Sequence, residues 1–278
     1  MFNRLPAPAI RTHTQTGRPE NPLKISILAS GSKGNSVYIE TGATRLLIDA
    51  GLSATEIMKR LAAIGVESSS LHGILISHEH SDHTRGAGTL ARKLKIPVII
   101  SRQTAAVCGA LLKKCDIAGF ESGSPFSFRD LSIDPFQTTH DTVDPVGFTV
   151  ESIEGRYGHA TDFGIVTRLV TEKLKACRLL LIEANHDEEM LMNGPYPWHL
   201  KQRIKSRHGH ISNSESIDLL HELLHDRLEG VFLAHLSETN NDPRLPQSAA
   251  ASLLAGQNRC SPALFIGEQH QPGRLFEI

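Results

Sequence analysis

Apolar positions in this chain fall into short runs separated by turn-forming residues. "LKISILAS" (23–30), "SVYIE" (36–40) and "TRLLIDAG" (44–51) are strand-length, and "GSKGN" and "TGA" divide them. The chain is therefore expected to open with a β-meander. The period then changes. "SATEIMKRLAAIG" carries apolar residues at helical spacing, with Ser53 as N-cap, Glu56 three residues later and Gly65 as the stop. "LHGILIS" returns to a strand, and a helix at 87–95, a strand at 96–101, a helix at 102–114 and further strands across 125–162 follow. Beyond them, helices near 167–176, 197–206, 213–228 and 245–255 alternate with strands near 178–183, 229–235 and 263–266. This is an α/β pattern of sheets covered by helices, with polar residues concentrated at strand ends.

Length and composition narrow the picture. With 278 residues, 40% of them hydrophobic, the chain can fill one large α/β domain or two ordinary ones. Lys and Arg number 29 against 30 Asp and Glu, so no overall basic footprint marks a dedicated nucleic-acid binder, and any phosphate contact must be local. Cys108, Cys115, Cys177 and Cys260 form no C-x-x-C pair, which suits reduced thiols and a cytoplasmic setting. Residues 1–22 hold no continuous apolar segment and are expected to form a flexible leader. The longest apolar runs are strand-sized, so no membrane partner is expected.

The chemistry concentrates in "ILISHEHSDHTRGAG" (74–88), where His78, His80, Asp82 and His83 follow directly on a buried strand. A chain leaving a strand into a tight loop turns residues at these spacings inward from two sides. Imidazole suits Zn, Mn or Fe and the carboxylate adds a harder oxygen ligand, a set typical of hydrolytic metal centres. Four further residues are candidates: His140 in "FQTTHDT" and His235 in "VFLAHLSETNN" each follow a strand-like apolar run, and Asp49 in "LLIDAG" and Asp162 in "GHATDFG" precede turn-forming residues. Taken singly, Asp49 and Asp162 also suit turns, and His140 and His235 suit hydrogen-bonded core positions. His159 reads as structural.

In this order the motifs resemble those of the metallo-β-lactamase superfamily, from about residue 24 to the C-terminus. The resemblance implies a four-layered αββα sandwich in a single domain over residues 23–278, with metals where strand ends of both sheets converge. It implies that His78, His80, Asp82, His83, His140, Asp162 and His235 are ligands, that Asp162 bridges two cations, and that Asp49 supports the ligand loop from behind. Asp162 stands where the best-known β-lactamases carry cysteine, and His80 where flavodiiron oxygen reductases carry glutamate. A hydrolase acting on phosphate or ester oxygens is therefore favoured over β-lactam hydrolysis or redox chemistry.

"ILASGSKGNSVYIE", "LLIEANHDEEML", "YPWHLKQRIKSRHGHISN" and "AHLSETNN" further resemble the YycJ (WalJ/VicX) family of bacterial nucleases, regarded as DNA exonucleases. "HGHISN" and "HLSETNN" are also similar to histidine motifs of β-CASP nucleases, with Glu183 near the place of their acidic motif. The interval from Asp162 to His235 is too short for a full β-CASP insertion. The reaction so implied is two-metal phosphodiester hydrolysis, with DNA favoured over RNA as substrate. His78, His80 and His140 would hold one cation, and Asp82, His83 and His235 the other, each Zn or Mn, with Fe compatible. Asp82 and Asp162 would serve catalysis, and His210 would donate a proton to the leaving oxygen or hold the phosphate.

Lys201, Arg203, Lys205 and Arg207 run up to His208 and His210. With Leu200 and Ile204 they read equally as the solvated face of an amphipathic helix and as the path of a phosphate backbone, in which Arg203, Lys205 and His208 would bind substrate. The "GSKGN" loop, with Ser32 and Asn35, reads either as a plain strand connector or as an anion-approaching turn. Two other functions stay open at this level. One is a small-molecule esterase, thioesterase or lactonase with the same ligands, and the other is a non-catalytic, metal-stabilised regulatory protein.

Overall fold

Adjacent residues of each apolar run face different cores. Leu46 and Ile48 point one way while Leu47 points the other, and Leu180 and Ile182 oppose Leu179 and Leu181. Such strands are buried on both faces, which is why they read as continuous apolar runs rather than as alternating ones. The computed structural model describes residues 3, 4, 6 and 22–278.

The first sheet is built from β1 (Asn3–Arg4), β2 (Lys24–Ala29), β3 (Ser36–Glu40), β4 (Arg45–Ile48), β5 (Gly73–Leu75), β6 (Val98–Ser101) and β7 (Ile117–Phe120). The second holds β8 (Phe126–Phe128), β9 (Leu131–Gln137), β10 (Val146–Glu151), β11 (Arg156–Ala160), β12 (Leu179–Glu183), β13 (Gly230–Ala234) and β14 (Ala263–Ile266). A last strand, β15 (Phe276–Glu277), returns to pair antiparallel with β2. The orders are β1-β7-β6-β5-β4-β3-β2-β15 and β14-β13-β12-β11-β10-β9-β8. In each sheet a parallel half adjoins an antiparallel meander.

Nine α-helices and one short 3-10 helix (Ser68–Ser70) among the described residues complete the chain. The α-helices are α1 (Ala54–Ala63), α2 (Ser81–Thr84), α3 (Ala87–Leu94), α4 (Arg102–Val107), α5 (Arg168–Leu174), α6 (Glu188–Asn193), α7 (Trp198–Ile204), α8 (Asn213–Leu223) and α9 (Arg244–Ala255). Ile57 and Leu61 of α1 and Leu90 of α3 pack on the outer face of the first sheet. Val170, Leu174, Leu219 and Leu220 of α5 and α8 cover the second. Between the sheets, Ile25, Ile39 and Ile48 meet Ile133, Phe148 and Leu181. Each such buried side chain contributes about 1.5–3 kcal/mol relative to exposure. Three cores make four layers, the αββα sandwich implied by the resemblance.

Several boundaries differ from the expected ones. The helix expected over 102–114 stops at Val107 and passes into turns that end at Lys114 in a left-handed conformation (φ 65°). The expected helix 213–228 ends at Leu223, and a turn follows in which His225 Nε2 bonds the Cys177 carbonyl (2.9 Å). β7 and α6 were not expected. "IAGF" is strand because β6 and β1 pair with it in parallel, and α6 rests on Asp187, whose side chain accepts from Met190 N (2.9 Å). Of the expected leader, Asn3–Arg4 pair in parallel with β7, and most of the remainder lies outside the described residues.

No described helix is long and apolar enough to cross a membrane.

Candidate metal centre

Carboxyl ends of strands from both sheets converge on one edge, where open α/β folds commonly place their ligands. Asp49 follows β4, Ser77 to His83 follow β5, His140 follows β9, Asp162 follows β11, Glu183 ends β12 and His235 follows β13. Asp49 (φ 61°), Asp162 (φ 59°) and His235 (φ 56°) all adopt the left-handed conformation. Outside glycine this costs of order 1–3 kcal/mol per residue and is retained where the surroundings over-determine it. Here it turns each side chain off its strand into the cluster.

Backbone bonds clamp the ligand loop. Asn35 N donates to Asp82 O (2.7 Å) and Ala50 N to His83 O (2.8 Å). A Cβ on Gly51 would overlap the Asp82 carbonyl, so only glycine allows this approach.

Four of the candidate ligand histidines have Nδ1 engaged, which turns Nε2 to the cluster, where Asn35 Nδ2 also lies 3.0 Å from His83 Nε2. His83 Nδ1 lies 2.8 Å from Asp49 Oδ2. His78 Nδ1 meets Ser77 Oγ at 2.9 Å, and Ser77 is itself held by Asp49 through N and Oγ (2.9 and 3.0 Å to Oδ1). His235 Nδ1 is 2.8 Å from Glu183 Oε1, and His140 Nδ1 is 3.1 Å from Gly209 O. Carboxylates and carbonyls placed this way fix the tautomer and orientation of metal-binding imidazoles. Glu183, fully buried, also takes His210 Nδ1 at 2.8 Å, and its second oxygen accepts from the Phe163 and Ile211 amides (3.3 and 3.4 Å). Gly209 sits against the Arg203 and Ile204 carbonyls, where a Cβ would clash.

Three sets of ligand atoms cluster closely: His78, His80 and His140; Asp82, His83 and His235; and His78, His83 and Asp162. Asp162 lies between the first two sets, 3.3 Å from His83 Nε2 and 3.4 Å from His235 Nε2, and 3.9 Å from His140 Nε2. A fourth set joins Asp162, Glu183, His210 and His235.

The charges are arranged for a cation. Burial opposes ionisation of Asp162, but His235 and His83 outweigh it and hold the carboxyl well below its usual range. Glu183 is likewise brought to about 2 against its burial, by His210 and His235. His235 rises to about 10 because Asp162, Asp82 and Glu183 overcome its desolvation, and His83 is raised by Asp162 and Asp49. His78, by contrast, is driven well down by burial, and His83 adds to the effect. Buried His78 Nε2, His235 Nε2 and Asp162 Oδ2 have no hydrogen-bond partner. Three buried ligand atoms without a hydrogen-bond partner in one cluster fit a divalent cation, which would supply the contact that each lacks. Protons on His83 and His235 compete with it, so affinity falls as pH falls.

A cavity of about 290 Å3 opens over the cluster. Ser32, Arg203, His208 and His210 line it together with the candidate ligands His80, Asp82, His140, Asp162 and His235. Arg203 is tied to Asp141 Oδ2 (Nε at 2.7 Å). Two expected substrate contacts lie elsewhere. Asn35 is buried behind the ligands with its amide 3.3 Å from Asp82 Oδ2, and Lys205 faces away from the cavity on the far side of α7. His159 is buried with Nδ1 on Tyr157 Oη (2.9 Å), and burial pushes it down to about 4.

Sequence reasoning passed over Asp141, Tyr196 and Asn185. Asp141 Oδ1 lies 3.5 Å from His140 Nε2 and 3.7 Å from His80 Nε2, Tyr196 lines the cavity, and Asn185 Nδ2 donates to the His235 carbonyl (2.9 Å). The adjacency of Asp141 to His140 was the one available signal.

The profile of the beta-lactamase superfamily domain matches residues 44–231. Exodeoxyribonuclease WalJ of Streptococcus pneumoniae is 40% identical over 237 residues, covering 84% of this chain and 88% of that protein. Exodeoxyribonuclease YycJ of Bacillus anthracis is 35% identical, covering 84% and 89%. Among solved structures, the metallo-β-lactamase fold protein YhfI from Bacillus subtilis superposes with a TM-score of 0.71 at 18% identity, over 93% of this chain and 100% of that one, a likeness of fold.

Proposed function

This chain belongs to the metallo-β-lactamase superfamily, and from that premise we propose that it is a metal-dependent DNA exonuclease of the cytoplasm. The observation that carries the reading is that α7, which lies in a basic segment, sends Arg203 into the cavity lined by the candidate ligands, beside His208 and His210. From residue 190 to 214 the chain has no Asp or Glu, while Lys201, Arg203, Lys205 and Arg207 all fall within it. A polyanion is drawn to such a wall, and a neutral ester is not.

The largely buried ligand set, with its orphaned His78 and His235 Nε2 atoms, suits two cations, Zn or Mn: His78, His80 and His140 would hold one and Asp82, His83 and His235 the other, with Asp162 within reach of both. When bound, such cations lower the pKa of water towards 7 and neutralise charge that develops on phosphoryl oxygens. The chain's own groups do the rest. Asp49 and Glu183 hold imidazoles in the tautomer that offers Nε2. Glu183 takes His210 Nδ1, so His210 Nε2 is the nitrogen that can donate a proton to a leaving oxygen. Asp141 steadies Arg203 at the rim, where a guanidinium meets non-bridging phosphate oxygens.

The test is a salt titration of binding and turnover. Binding of DNA is expected to weaken steeply with ionic strength, and replacing both Arg203 and Lys205 by Ala flattens the log-log slope by roughly one unit per lost phosphate contact. Hydrolysis of a small neutral ester in preference to DNA, with no salt dependence, would transfer the site to the esterase reading.

A further inference from the structure

The helix α7 separates two cavities. Tyr196, just before it, and Leu200, Arg203 and Ile204 face the ligand cluster, while Trp198, Lys201, Gln202 and Lys205, one helical step round, line a second opening of about 300 Å3. Met192, from the end of α6, completes that second lining, and Lys201 Nζ donates to the Met192 carbonyl (2.7 Å).

Trp198 is the chain's sole tryptophan and is 60% exposed, and Met192 beside it is 40% exposed. Large side chains left out together, with lysines around them, mark a binding face more than a solvated one. The acid-free stretch selects the partner. A second copy of this chain would set one basic face against another, whereas a phosphate backbone neutralises Lys201 and Lys205. The indole selects further, because a paired base hides its faces in the duplex and only an unpaired one offers a ring to stack on.

We propose that this outer face of α7 is a stacking platform for unpaired bases of a nucleic-acid strand whose end occupies the metal cavity. Trp198 takes one base, and Lys201 and Lys205 take the flanking phosphates. The inference rests on the nuclease reading above. A strand running from one cavity to the other crosses a single helix, about 10–12 Å wide.

A sole tryptophan makes the test direct. Titrating the metal-loaded protein with a hydrolysis-resistant, phosphorothioate-linked single-stranded deoxyoligonucleotide is expected to quench Trp198 emission, and added salt should reverse the quenching. Trp198→Ala is expected to weaken oligonucleotide binding and raise KM by roughly 5- to 150-fold, the range that loss of one stacking aromatic gives per base. Trp198→Phe restores most of the affinity, whereas a merely structural role would appear as lost thermal stability in both variants. Emission indifferent to saturating oligonucleotide, or wild-type affinity in Trp198→Ala, overturns the platform. A concentration-dependent dimer that Trp198→Ala dissociates overturns it as well, since it would assign the face to a second copy. The nuclease reading fails separately, by absence of DNA hydrolysis, because quenching reports equilibrium binding and needs no turnover.

Discussion

Asp162→Ala is expected to lose hydrolysis of every substrate the unaltered chain accepts, by more than about 10³-fold. Removal of a single oxyanion donor costs roughly 10²–10³ in typical enzymes. Asp162 does more than one donor, since its carboxylate is buried among His83, His235 and His140 at 3.3, 3.4 and 3.9 Å and belongs to two of the ligand sets. Without it, His83 and His235 lose the carboxylate that lies between their Nε2 atoms. Truncating one member of a buried ion pair also destabilises, typically by about 3–5 kcal/mol. Asp162→Asn keeps the shape and separates the two effects. It should unfold closer to the wild-type temperature and still be inactive, and turnover measured beside thermal unfolding checks both statements. Wild-type turnover in either variant would remove Asp162 from the mechanism.

His210→Ala is expected to fail differently. The side chain is partly open to the cavity, and its ring centroid lies 5.1 Å from those of both His140 and His235. Its removal leaves Glu183 still bonded to His235 and to two backbone amides, so the cluster beneath it stays ordered. One proton donor acts mainly in the transition state. The variant should therefore lose about 10²–10⁴-fold in kcat on DNA while keeping its affinity and the salt slope of binding. An equal loss in affinity would make His210 a phosphate-binding group rather than a proton donor.

Much of this site could be read before the structure, because its members sit at strand ends in sequence order. His78 to His83 share one loop, and His140 and His235 each follow a strand-like apolar run, whereas Asp49 and Asp162, which also suit turns, were legible only through the resemblance of the motif series. What could not be read depends on convergence between distant segments. Gly209 orients His140 from 69 residues away, and Glu183 joins two histidines that lie 27 and 52 residues further along. Asn35 looked like part of an anion loop but is turned inward, because its side chain bonds Gly31 and Asp82. Lys205 and Arg203, two positions apart, end on different sides of α7 since a helix turns about 200° between them. Among the elements, β7 was hidden because "IAGF" lacks the β-branched alternation of a strand and owes its form to its neighbours β6 and β1.

The central claim is that the cluster works by holding divalent metal. The most direct measurement is metal content beside DNA hydrolysis on the same samples: the purified chain, the chain after chelation and readdition of Zn or Mn, and His80→Ala. His80 is the ligand to alter because it is partly exposed, so its loss leaves the core intact. Two metal ions per chain are predicted, with hydrolysis lost on chelation and regained on readdition, and at least one ion lost from a folded His80→Ala. Undiminished release of nucleotides from DNA by the metal-free chain would contradict the account.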